Sequence, residues 1–87
     1  MSTGLECQIV RLPNGKWYYI LEDWDSPKGA WDWWDYASCY GPFTTQDAAR
    51  THLRQYHANP GGYGISEYTE MDERLENMVA KATLSPW

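Results

Sequence analysis

Pro13-Asn14-Gly15 lies between two runs of strand-forming residues, and no other feature narrows the fold of this chain as far. Pro presets φ at the start of a turn, and Asn-Gly accepts the positive φ that a tight hairpin demands. Before the turn, Leu5, Cys7 and Ile9 alternate with Glu6 and Gln8, the period of a strand with one wet face. After it comes Lys16-Trp17-Tyr18-Tyr19-Ile20-Leu21-Glu22, aromatic and β-branched as strands prefer. Its apolar residues fall on both faces, which predicts a central strand with a layer over each side.

Asp25-Ser26-Pro27-Lys28-Gly29 reads as a loop, because Pro cannot donate to a ladder and Gly loosens the backbone. Trp31-Asp32-Trp33-Trp34-Asp35-Tyr36 follows, four rings and two carboxylates in six residues. A third antiparallel strand is expected over roughly 33–40. Alternation then puts Trp33, Asp35, Ala37 and Cys39 on one face and Trp34, Tyr36, Ser38 and Tyr40 on the other. Small Ala37 and Cys39 suit a face crowded by a helix, which sends Trp34, Tyr36 and Tyr40 to the opposite side and leaves Trp33 beneath that helix.

Helix signals begin at Gly41-Pro42-Phe43. Thr44 is the expected N-cap with Asp47 three residues on, and Phe43 with Ala48 forms a hydrophobic staple. Pro60 bars helical geometry at Asn59, so this helix ends near 57 or 58, with Ala49, His52, Leu53 and Tyr56 as its apolar stripe. Tyr63 to Tyr68 reads as a short edge strand or an extended connector. Thr69 then caps a second helix, whose Met71, Leu75, Met78, Val79 and Ala82 share one face. That face either packs on the sheet or, through Met71, Leu75, Met78 and Val79, pairs two copies in a homodimer. The packed alternative is favoured, because so small a domain needs every apolar face it has.

The fold class is therefore α+β: a three-stranded antiparallel sheet packed by one helix, with a C-terminal amphipathic helix. With 87 residues the chain forms one domain, sheet about 5–40, helices about 44–58 and 70–82. Its six Trp, seven Tyr and one Phe supply the core that so short a chain could not build from aliphatics alone. The mean hydropathy of −0.71 confines that hydrophobicity to the rings.

The formal charge is −5, a sign that opposes nucleic-acid binding through the phosphate backbone and favours a protein partner with a basic surface. No run approaches the ~20 apolar residues of a membrane span, and no signal segment opens the chain. Cys7 and Cys39 fit a cytoplasmic protein with reduced thiols, although their spacing leaves a disulfide open. With His52 and His57 they lack the close cysteine spacing of a zinc site, so neither a metal nor another cofactor is expected. No nucleophile elbow, zinc-protease helix or phosphate loop is present, and the chain reads as a non-enzyme. A Cys39–His52 dyad would require the third strand and first helix to meet at those residues.

What remains is binding. Exposed rings among polar residues are shared by interface hot spots and by stacking platforms. From Glu22 to Asp35 five acids stand against one Lys, where a nucleic-acid platform would interleave bases. The candidate site is Trp31, Trp34 and Tyr36 with Asp25, Asp32 and Asp35, acting on a protein partner. The alternative is a nucleic-acid or carbohydrate binder that stacks its ligand on the same rings.

Lys16-Trp17-Tyr18-Tyr19, Tyr40-Gly41-Pro42-Phe43-Thr44-Thr45 and Asp47-Ala48-Ala49 together resemble a run in small accessory proteins of tailed bacteriophages. There an aromatic strand pair leads through Gly-Pro-Phe into a helix. The resemblance covers about half the chain and stops before residue 60. It implies a small phage protein that binds and blocks a host protein in the host cytoplasm, and it carries over no functional residue.

Overall fold

The computed structural model describes residues 6–23, 33–57 and 63–84. Strands β1 (Cys7–Arg11) and β2 (Trp17–Glu22) form the expected hairpin. The Leu12 carbonyl accepts from the Gly15 N–H at 2.9 Å, and the Asn14 side chain accepts from the Lys16 N–H at 2.8 Å. Gly15 takes a positive φ in this turn, at 80°. The sheet is mixed and four-stranded, in the order β3-β2-β1-β4, with β3 (Ala37–Phe43) antiparallel to β2. β4 (Gly64–Glu67) lies parallel to β1, so the three-stranded antiparallel expectation is corrected by one strand. The parallel pairing follows from the connection. Helix α1 (Gln46–Tyr56) carries the chain from β3 over β2 and β1 to the far edge, and such a crossover delivers the next strand in the same direction.

Each face of the sheet has its own helix. Cys7, Ile9, Tyr19, Leu21, Tyr40 and Phe43 are buried with Ala49 and Leu53 of α1. Val10, Leu12, Tyr18, Ile20 and Cys39 are buried on the other face with Leu75 of helix α2 (Glu73–Ala80). The two-faced β2 thus occupies the central position its sequence predicts. β1 does not keep a wet face, since Val10, on the same side as Gln8, is 1% exposed under the second layer. The stripe of α2 is used within the molecule: Met71, Met78, Val79 and Ala82 pack around buried Leu75 against the sheet. Packing on the sheet, the favoured alternative, is thus what the structure shows for this face.

Both helices start later than expected. Thr45, not Thr44, caps α1 by accepting from the Ala48 N–H at 3.0 Å. Asp72, not Thr69, caps α2 by accepting from the Leu75 N–H at 2.8 Å. Each true cap stands three residues before the N–H it satisfies, and each shortens its helix relative to the sequence pattern.

β3 departs most from expectation. It begins at Ala37, and Gly41-Pro42 lies inside it instead of ending it. Tyr40 pairs with Tyr19 and Phe43 with Trp17, three steps against two, so the extra residue forms a bulge that accommodates Pro42. Gly41 has φ +143°, and a Cβ there would lie 2.5 Å from the Tyr18 ring and 3.0 Å from the Trp17 carbonyl oxygen. After α2 the chain returns to this edge: the Gly41 N–H donates to the Thr83 carbonyl at 3.1 Å and the Thr83 N–H to the Cys39 carbonyl at 3.3 Å. The faces of β3 are also the reverse of those expected. Cys39 and Ala37 lie on the α2 side and Tyr40 beneath α1. Among the described residues, no helix is long and apolar enough to cross a membrane.

Candidate functional site

Of the expected binding residues, Trp34, Asp35 and Tyr36 lie on a single 3-10 turn, Trp33–Tyr36, immediately before β3. Trp31, Asp25 and Asp32 lie outside the described residues. A strand over this stretch would divide Trp33 from Trp34. The tighter turn lets both rings pack on the α2-side core, edge to face with centroids 6.1 Å apart. Trp33 therefore supports the second layer and does not lie under α1. Trp34 is half-buried against that core, whereas Tyr36 is 45% exposed. The turn is anchored to the end of β2, where the Asp23 N–H donates to the Tyr36 carbonyl at 2.7 Å. Ser38 then donates its hydroxyl to the Asp23 carboxylate at 2.9 Å.

Folding brings this turn against α2, 38 residues on from Trp34 at its Asp72 cap, and the two enclose a groove. The part nearer the start of α2 measures about 530 Å³ and is lined by Trp34, Asp35, Asp72, Glu73, Arg74, Asn77 and Met78. An adjoining hollow of about 440 Å³ shares Trp34, Asp35, Asn77 and Met78 and continues along Ala37 to Tyr40 toward Lys81 and Thr83. One end is thus acidic, the middle is indole and thioether, and the far end carries a lysine. The Arg74 guanidinium lies 4.8 Å from the Trp34 ring centroid and 4.0 Å from an Asp35 oxygen. With Asp35 68% exposed, that ion pair adds at most about 1 kcal/mol to stability. Asp72 caps α2 and Glu73 opens its first turn, yet the same segment supplies the second wall of the groove, a role that local patterning could not reveal.

A second polar cluster lies on the opposite face. The buried Tyr19 hydroxyl and His52 Nδ1 are 2.6 Å apart, and His52 Nε2 is 2.9 Å from the Leu84 carbonyl. A carbonyl can only accept, so Nε2 carries the proton and Nδ1 accepts from Tyr19. Burial, reinforced by Tyr40, holds the Tyr19 phenol well above its usual range. His57, tilted against Tyr40 with ring centroids 4.9 Å apart, is lowered from its ordinary value by burial and then by His52. These rings form the core beneath α1, and Tyr19 has no exposed surface.

The thiols offer no nucleophile. Cys7 and Cys39 are unpaired, and burial pushes each up to about 12. They lie on opposite faces of the sheet, as do Cys39 and His52, so the strand–helix meeting that a thiol dyad needs does not occur. Among the described residues, no group of three or more His, Cys, Asp or Glu converges to hold a metal. Comparison of the chain with protein-family models, curated proteins and solved structures finds no match.

Proposed function

We propose that this chain is a non-enzymatic protein-binding module that acts by occupying a partner's basic surface, using the turn that carries Trp34, Asp35 and Tyr36 together with the facing side of α2. The observation that supports it best is the join itself. Two acidic segments far apart in sequence line one groove around a Trp, with Tyr36 45% exposed on the adjoining turn. Aromatic side chains flanked by charge are the usual anchors of protein interfaces, where they supply contact area at low entropic cost. The acidic lining favours a positively charged partner through steering and pairing. The phage resemblance extends this reading to a protein that blocks a host protein in the host cytoplasm.

Stacking on a nucleic-acid base or a sugar uses the same rings. Arg74 over Trp34 already occupies the kind of position that a stacked ligand would take. The reading is tested by affinity capture from host lysate with the full chain, comparing wild type with an Asp35→Asn/Tyr36→Ala variant. Loss of a captured protein without a change in the thermal melt is expected. Identical capture by both proteins defeats the reading, as does saturable binding of single-stranded DNA at about 150 mM salt.

A further inference from the structure

The outer edge of β3 is paired over only part of its length. The Asp23 N–H donates to the Tyr36 carbonyl, and in this register Ser38 and Tyr40 turn their backbone groups to β2, opposite Leu21 and Tyr19. Ala37 and Cys39 therefore turn theirs outward. Thr83 bridges part of that edge in parallel: its N–H donates to the Cys39 carbonyl at 3.3 Å, and its carbonyl accepts from the Gly41 N–H at 3.1 Å. Two residues earlier, a continuing parallel strand would place a residue level with Ser38. That residue would donate to the Ala37 carbonyl and accept from the Cys39 N–H. Lys81 holds that place in sequence, but as the C-cap of α2 it donates its N–H to the Met78 carbonyl, away from the edge. Among the described residues the Ala37 carbonyl and the Cys39 N–H have no partner.

Space is open beside those two groups. The hollow of about 440 Å³ is lined by Ala37, Ser38, Cys39 and Tyr40 in succession, and also by Met78 and Lys81. Successive strand residues alternate between faces, so a hollow that touches all four lies along the backbone edge. Resting on the protein-binding reading above, we infer that this edge receives the extended C-terminal tail of a partner protein as an added parallel strand. The direction follows from the hydrogen bonds. One residue satisfies the Ala37 carbonyl and the Cys39 N–H together only if it runs parallel to β3. An antiparallel residue would pair both groups of Ala37 and leave the Cys39 N–H alone, since the Cys39 carbonyl is taken by Thr83. A parallel tail meets Thr83 at its C-terminal end, where the edge is already occupied. A chain that ends there fits. Its terminal carboxylate accepts from the Cys39 N–H beside Lys81, which has no ion pair among the described residues. The Met78 and Val79 carbonyls at the end of α2 oppose a carboxylate only weakly, because both already accept from the N–H groups of Lys81 and Ala82. The penultimate side chain shares the α2-side face with Ala37 and is apolar, to pack on Met78.

The test uses the full chain, labelled with ¹⁵N, and an acetylated pentapeptide, glycine-arginine-glycine-leucine-valine, with a free C-terminal carboxylate at about 150 mM salt. The peptide is expected to shift the amides of Ala37, Cys39 and Lys81 saturably, that of Cys39 downfield. Amidating its C-terminus should weaken binding about tenfold, the loss of a charge-assisted hydrogen bond. Methylating the nitrogen of its terminal valine removes the donor to Ala37 and should weaken binding about fivefold. Lys81→Gln should weaken the free acid about threefold and leave the amide unchanged. Equal binding of acid and amide, or of the N-methylated form, overturns the inference. So do shifts centred away from β3, or no saturable shift up to about 20 mM peptide. Shifts of Ala37 and Cys39 that follow protein concentration without peptide would give the edge to a second copy and overturn it as well. The broader reading fails separately. If Asp35→Asn/Tyr36→Ala abolishes capture but acid and amide peptides bind alike, only the inference falls. If that variant captures as wild type does, the protein-binding reading falls whatever the peptides do.

Discussion

The Tyr19 hydroxyl donates to Nδ1 of His52 across 2.6 Å, joining the central strand to the middle of α1. His52 hands the connection on, since its Nε2–H donates to the Leu84 carbonyl at 2.9 Å. Sheet, helix and C-terminal segment are thus tied by one imidazole in a fixed tautomer. The Tyr19 ring is also stacked on Tyr40, with centroids 4.8 Å apart, so its position is held by packing apart from the hydrogen bond.

Tyr19→Phe keeps that packing and removes only the donor. His52 Nδ1 then lacks its partner in a part-buried site, a loss of about 1–2 kcal/mol. Urea denaturation should show a lower midpoint with an unchanged m-value. His52→Phe should cost a similar amount, and the double variant less than the sum of the two, because both remove the same bond. Additive losses would show that the bond contributes nothing.

Gly41→Ala should be worse than its one added methyl suggests. The site has φ +143°, and the new Cβ would meet the Tyr18 ring at 2.5 Å and the Trp17 carbonyl oxygen at 3.0 Å. A side chain could swing aside, but the Trp17 backbone cannot move without disturbing β2. Backbone strain of this kind costs about 1–3 kcal/mol before the clash is counted. A melt within about 1 °C of wild type would show that the bulge does not constrain this position. Gly15→Ala is the useful comparison: its φ is +80° but nothing lies within 4 Å of the added atom, so it should cost less.

The hairpin, the two-faced central strand and both helices were legible because each depends on local chemistry, whereas the fourth strand was left open between an edge strand and a connector. Pro13-Asn14-Gly15 specifies its turn whatever packs nearby, and the doubly apolar β2 announces layers on both sides. Residues 33–43 were misread because their conformation is set from outside. Alternation assigns Trp33 and Trp34 to opposite faces, yet both gain more by packing on the α2-side core, and a 3-10 turn allows it. Gly41-Pro42 looks like a strand terminator until Trp17 and Thr83 are seen bonding on either side of it. The groove escaped for the same reason: Trp34 and Glu73 meet only through the path of the whole chain.

Acid should destabilise the fold first through His57. Its pKa is lowered from the ordinary 6.5 by burial first and His52 second, so the folded state resists the proton that the unfolded chain accepts. Above 6.5 both states are neutral and the group contributes no pH dependence. As pH falls from there toward the lowered folded value, the unfolded chain binds more protons and stability declines. Urea midpoints measured across that window should fall with pH in wild type and fall less in His57→Gln. Parallel curves for the two proteins would assign the acid sensitivity to other groups.

The two layers should also open separately, and the cysteines are placed to report it. Cys7 lies in the α1-side core with Leu53, and Cys39 in the α2-side core with Leu75. Both thiols are pushed up to about 12 by burial, so in the native protein neither should react readily with an aromatic disulfide reagent at neutral pH. Leu53 is 1% exposed and Leu75 2% exposed, and shortening either to Ala should cost about 2–5 kcal/mol. The consequences for labelling differ. Leu75 is the one fully buried residue of α2, which rests on a single layer of half-buried side chains. Leu75→Ala should therefore loosen α2 alone and speed modification of Cys39 well beyond that of Cys7. In Leu53→Ala the order should reverse, because Ala49 becomes the one fully buried side chain left to hold α1 to the sheet. Peptide mapping after brief labelling distinguishes the cysteines directly. If both are exposed at the same rate in both variants, the sheet and its two helices unfold only as a unit, and the layers have no separate stability to lose.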